Sequence, residues 1–222
     1  VDVLSLLEFA KEESADIVIT QARQLSGLKK LWLGSFTQKL IHLSDQPILV
    51  LPAKLDSKKK IKTIFLATDF SSLSKRVFLA ALPIAKRLNA KLIFSHRLMM
   101  PLEPVVDASL ALAGGGWLSV EQVMVADRED KRKNADQWKK LAQEAGVKSE
   151  YVEDKSTRAL SDGLLKTAQQ KKADLIVIGT EISVMGAQLV GSVAQEVIAS
   201  SKVPVLVVPL HEKIEKPKKN KK

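Results

Sequence analysis

The chain of 222 residues is 45% apolar, enough for a sizeable core, and its lack of cysteine excludes disulfides, thiol nucleophiles and thiolate metal sites. Its net charge of +10 sits mainly in two lysine-rich segments, 54–62 (KLDSKKKIK) and 211–222 (HEKIEKPKKNKK), each carrying a surplus of four. The remainder is close to neutral, which argues against a basic nucleic-acid surface, and no stretch reaches the ~18 uncharged apolar residues of a membrane span.

Residues 1–20 carry charges and no apolar core of a secretion signal, and the absence of cysteine fits a reducing cytoplasm. Val1 in place of an initiator methionine predicts a fragment or a processed product. The first apolar runs predict strands at 16–20 and 48–51, too few to stand as a sheet alone. Beyond the basic segment, strands are expected at 61–67 (IKTIFLA), 91–95 (KLIFS), 148–152 (KSEYV), 174–179 (DLIVIG) and 204–208 (PVLVV).

Helical spacing fills the gaps between them. Val77, Phe78, Ala81, Leu82, Ala85 and Leu88 mark a helix over 72–88 that ends at Asn89 and carries Pro83 inside it. A second helix runs over 120–145, with Ser119 and Gln122 as a capping box, Gly146 as its stop, and a charged middle (DREDKRKN) expected to be solvated. Further helices are expected at 157–171 and 193–201, whereas 101–117, with three consecutive glycines before Trp117, reads as a connection. Short apolar strands alternating with helices predict an α/β fold, a doubly wound open parallel sheet of five strands.

The chain also repeats itself. Residues 34–52 (GSFTQKLIHLSDQPILVLP) and 191–209 (GSVAQEVIASSKVPVLVVP) share nine of nineteen positions without a gap, at an offset of 157. ADIVIT at 15–20 matches ADLIVIG at 173–179 at an offset of 158, as do Leu6 and Leu7 with Leu164 and Leu165. The partner of the strand at 61–67 would precede Val1, so the first copy is expected to lack its opening strands.

The segments 64–71 (IFLATDFS), 89–92 (NAKL), 174–180 and 191–209 together resemble the universal stress proteins. The resemblance implies strand order 3-2-1-4-5, dimers built through the last strand and, in some members, ATP at the point where strand order reverses. It divides the chain into 1–53, the C-terminal part of a first domain; 54–60, a basic linker; 61–210, a complete domain; and 211–222, a disordered tail dispensable for folding. Strand 48–51 is then expected to pair antiparallel with strand 205–208 as a built-in pseudo-dimer, with homo-oligomers as the other form of assembly and protein partners unknown.

Ligands of such sheets lie beyond the carboxyl ends of the strands, where this sequence carries Thr68, Asp69 and Gly179. ATP-binding members have G-x2-G-x9-G-S/T at the fourth loop, whose glycines let backbone N–H groups approach phosphate. Gly179, Gly191 and Ser192 match that pattern. Ile182 stands at the second glycine, the loop is one residue short, and Glu181 adds a negative charge. In the first copy Gln21 and Gln24 replace the glycines, while Gly34 and Ser35 persist, with Arg23, Lys29 and Lys30 nearby. An S-x-x-Q capping box, Ser35 with Gln38 and Ser192 with Gln195, is a sufficient reason for the shared Gly-Ser pairs.

His42, His96 and His211 are dispersed, no metal-ligand spacing occurs, and neither a G-x-S-x-G elbow nor a G-x-x-x-x-G-K-S/T loop is present. Trp32, Trp117 and Trp138 are too scattered for a base-stacking platform and read as packing residues. The expected function is that of a non-enzymatic, cytoplasmic stress-response protein acting through protein partners or oligomer state, without a bound cofactor. The alternative is a sensor of ATP or another adenine nucleotide, with slow hydrolysis.

Overall fold

A computed structural model describes residues 2–22, 33–56, 58–98, 120–182 and 191–211. The elements in chain order are α1 (Val3–Glu12), β1 (Val18–Gln21), α2 (Ser35–Leu43), β2 (Ile48–Leu51), β3 (Thr63–Ala67), α3 (Ser72–Leu88) and β4 (Lys91–Arg97). They continue as α4 (Val120–Glu144), β5 (Ser149–Asp154), α5 (Leu160–Gln170), β6 (Leu175–Ile182), α6 (Ser192–Ser200) and β7 (Val205–His211). This is an α/β fold whose seven strands are mostly parallel. Ser119 of the expected capping box, the stretch 101–117, Trp32 and Trp117 lie outside the described residues, as do 212–222.

The chain forms two compact units, residues 60–175 and residues 1–59 with 176–222. In the unit 60–175, β3, β4 and β5 run parallel, with Ile64 opposite Leu92 and Phe94 opposite Tyr151. Phe65, Phe78 and Phe94 are fully buried, and Trp138 of α4 stacks on Phe78 of α3 with ring centroids 4.4 Å apart. Asp174 anchors the start of β3: its Oδ2 accepts from the backbone N–H groups of Lys62 and Thr63 at 2.9 and 3.0 Å. Such bonds are what a buried carboxylate needs to offset its desolvation.

Capping sets both ends of α3, and its stop at Asn89 is the one the sequence predicts. Ser71 Oγ accepts from Ser74 N, and Asn89 takes the left-handed conformation (φ 49°) that terminates the helix. Gly146 (φ 75°) stops α4 in the same way. The expected boxes at α2 and α6 are not formed. Gly34 and Gly191, not the serines, occupy the N-cap positions, and no side-chain cap bond is made at either. The serines fall one residue inside the helix, where their hydroxyls are not placed as N-cap acceptors.

In the other unit, β1 pairs parallel with β2, β6 pairs parallel with β7, and β2 pairs antiparallel with β7. The register sets Ile48 opposite Val207, Leu49 opposite Leu206 and Val50 opposite Val205. The sequence repeat recurs as repeated backbone detail. Ser14 and Lys172 both adopt φ near +50°. Ala15 N donates to Ala10 O as Ala173 N does to Ala168 O, and Val18 N reaches Pro47 O as Ile176 N reaches Pro204 O. Ser44 Oγ bridges the backbone of Gln46 as Ser201 Oγ bridges that of Val203.

Several element ends move relative to the sequence reading: β4 and β5 each run two residues further, and α5 starts at Leu160 rather than 157. β6 runs three residues past Gly179, and β7 includes His211, paired with Ile182, where the sequence places the first residue of the tail. No helix among the described residues is long and apolar enough to cross a membrane. Trp138 touches Phe70, Phe78 and Phe94 at once. Trp138→Ala is therefore expected to cost about 3–5 kcal/mol, measured by denaturant unfolding, with Trp138→Phe closer to the parent.

Candidate functional site

The turn after β3 is built by its own side chains. Thr68 is buried, and its Oγ1 accepts from Phe70 N at 2.8 Å, which folds the chain back so that Phe70 takes a left-handed φ of 62°. The Phe70 ring then sits in an aromatic cluster with Phe94, His96, Trp138 and Tyr151. His96 Nδ1 lies 2.9 Å from the Thr68 carbonyl; because a carbonyl only accepts, that nitrogen carries the proton.

Asp69 follows on the exposed side of this turn. Its Oδ1 accepts from Ser71 N at 2.9 Å and from the Ser74 hydroxyl at 2.5 Å, and Lys131 Nζ donates to its carbonyl at 3.3 Å. Partial burial works to raise its carboxyl, but the bonds from Ser74 and Ser71 outweigh it and hold the group below its ordinary 3.8. The carboxylate is thus ionised at neutral pH, with one oxygen given to the start of α3.

Of the five residues that the sequence singles out, Thr68 and Asp69 belong to the unit 60–175 and adjoin each other. Gly179, Gly191 and Ser192 belong to the other unit. Gly179 is a strand residue paired with Val208, and Gly191 and Ser192 are the N-cap and first residue of α6. A Cβ on Gly191, or on Gly34 of the first copy, would meet nothing within 4 Å among the described residues. Both have ordinary negative φ values, −49° and −58°, so backbone strain does not explain the glycine. Residues 183–190, including Gly186, lie outside the described residues, as do Arg23, Gln24, Lys29 and Lys30.

A second polar cluster, at the carboxyl ends of β4 and β5, is absent from the sequence reading. Arg97 Nη2 donates to Asp154 Oδ2 at 3.0 Å and to Ser156 Oγ at 2.6 Å, and its Nη1 to the Arg158 carbonyl at 2.7 Å. Gly163 of α5 makes room for it: a Cβ there would overlap Arg97 Nη2 and lie 2.8 Å from Asp154 Oδ2. The isolated glycine inside a helical pattern is the one signal that could have pointed here. The middle of α4 is solvated as expected, with none of residues 127–134 buried, yet Arg128 and Arg132 both bond Glu153 of β5. Among the described residues, no three His, Asp or Glu side chains converge as a metal site.

The universal stress protein family model matches residues 3–52 and 60–209. This chain belongs to the universal stress protein family. A universal stress protein of Methanocaldococcus jannaschii is 32% identical over 161 residues, 71% of this chain and 84% of that protein. A solved universal stress protein from Archaeoglobus fulgidus matches with a TM-score of 0.62 at 20% identity, a likeness of fold; it covers 93% of this chain, which spans 64% of that structure's length. A family member solved in complex with cAMP is 28% identical, covering 68% of this chain and 98% of its own, with a TM-score of 0.45.

Two measurements follow from the ends of β4 and β5. Gly163→Ala should displace Arg97 and leave Asp154 buried without its partner, a loss of about 3–5 kcal/mol by denaturant unfolding. The second concerns acid. Burial tends to raise the Asp154 carboxyl, but Ser156 and Arg97 hold it below its ordinary 3.8, as Ser74 and Ser71 do for Asp69. A carboxyl depressed in the fold stabilises fully above its unfolded value, and that contribution fades as pH falls through the folded value. Unfolding free energy should therefore drop steeply below about pH 4, and less steeply in Asp154→Asn.

Proposed function

We propose that this universal stress protein is a non-enzymatic, cytoplasmic regulatory member of the family that acts through protein partners or its state of assembly, with ATP binding weak or lost. The observation that carries this reading is the continuation of β6 through Glu181 and Ile182, in register with Leu210 and His211. A phosphate loop needs free backbone N–H groups converging on the ligand. Here the backbone at the second glycine position is committed to a strand ladder. Asp69 supports the same reading, since one of its oxygens already serves Ser71 and Ser74.

The assembly proposed is a pseudo-dimer within one chain, in which 1–53 is the C-terminal part of a first domain and 61–210 a complete domain with strand order 3-2-1-4-5. Support comes from the register itself. Leu49 and Leu206 are repeat equivalents, and they stand opposite each other; Ile48 and Val50 pair with each other's equivalents. A local two-fold axis at the Leu49–Leu206 pair generates that pattern, as in an isologous contact.

Gly34 and Gly191 favour a second reading, a sensor of adenine nucleotides. With the capping boxes unformed, the lack of any described atom within 4 Å of a Cβ at either glycine supports close approach by a ligand phosphate. Calorimetric titration with ATP separates the two readings. Loss of two or three charge-assisted hydrogen bonds at ~1.5–3 kcal/mol each predicts affinity weaker than micromolar by orders of magnitude. Micromolar affinity abolished by Asp69→Ala would overturn the first reading in favour of the second.

A further inference from the structure

Between α4 and the end of β5, an open groove of about 540 Å³ is lined by Arg128, Arg132, Asp136, Lys139, Tyr151, Glu153 and Lys155. Four cations face two carboxylates, a surplus of two positive charges. Glu153 consumes part of the arginine capacity: Arg128 gives it Nε and Nη2, at 3.1 and 2.6 Å, and Arg132 gives only Nε, at 2.8 Å. The terminal amino groups of Arg132 and the ammonium of Lys155 have no partner among the described residues. Lys139 is engaged by Asp136 at 3.0 Å.

Tyr151 supplies a second, independent observation. Its hydroxyl oxygen is buried and without a hydrogen-bond partner among the described residues. An orphaned buried hydroxyl is costly, and Tyr151 is one of the residues that line the groove. Burial, with the charge of Glu153, pushes the phenol up to about 12, so it remains a donor across the physiological range.

We propose that this groove binds a small dianionic phosphate group, free or carried by a monoester. A phosphate monoester carries about −1.5 to −2 at neutral pH and offers three acceptor oxygens, which matches the surplus charge and the donors of Arg132, Lys155 and Tyr151. A planar guanidinium fork can pair with two phosphate oxygens at once, as it does with a carboxylate's two. The volume exceeds that of a bare phosphate and falls within the range of small-molecule sites, roughly 300–1,000 Å³. Neither Thr68 nor Asp69 is among its lining residues, and the proposal does not rest on whether ATP binds at that turn.

Calorimetric titration of the full chain with glycerol 3-phosphate, inorganic phosphate and glycerol tests the proposal. Glycerol 3-phosphate should bind at one site and glycerol should give no heat. Inorganic phosphate binding as tightly as the monoester would identify free phosphate as the source, and weaker binding would identify the monoester. Arg132→Ala should weaken binding about tenfold or more, the loss of a charge-assisted bond. Tyr151→Phe, which removes only the hydroxyl, should weaken it several-fold without lowering the melting temperature. Asp69→Ala should leave it unchanged. Absence of binding by both phosphate compounds, binding indifferent to both Arg132→Ala and Lys155→Ala, or affinity that vanishes at about 0.15 M salt as for simple counter-ion attraction overturns the proposal.

Discussion

The antiparallel ladder between β2 and β7 is the contact on which the N-terminal quarter of the chain depends. β1 and β2 form only a two-stranded parallel pair, and such a pair is marginal in water. Through β7 they become part of a four-stranded arrangement with β6, and Ile48, Val50, Val205, Leu206 and Val207 are almost completely buried as a result. At about 25 cal/mol per Å² of apolar surface removed from water, that row of side chains outweighs the hydrogen bonds that align it. The bonds set the register, and burial holds it.

Much of the fold is legible in the sequence because apolar runs and helix stops carry it. Asn89 and Gly146 end their helices where the sequence places them, since few residues tolerate a left-handed backbone. The extension of β6 is not legible in the same way. Gly179-Thr180-Glu181-Ile182 lacks the apolar run of the strand before it, and its partner Pro209-Leu210-His211 decides its conformation. Information about that pairing lies thirty residues away, in another strand.

The polar chemistry was legible only in part. Thr68 and Asp69 adjoin each other as the turn after β3 demands, yet their side chains are occupied in making that turn. Ser35 and Ser192 look like helix caps by type and spacing, but a one-residue shift hands the cap to glycine. The ion pairs of Arg97, Arg128 and Arg132 join residues 21 to 57 apart in the chain, and no local pattern marks long-range pairing of charges.

The Leu49–Leu206 pair has a consequence for how such a protein can change. At the axis of a homodimer, every substitution occurs twice and meets itself, so a bulky replacement clashes with its own image. Here the two leucines are encoded separately. One side can enlarge while the other shrinks, and the two faces of the ladder are free to drift into complementary, unequal shapes that no pair of identical subunits could reach.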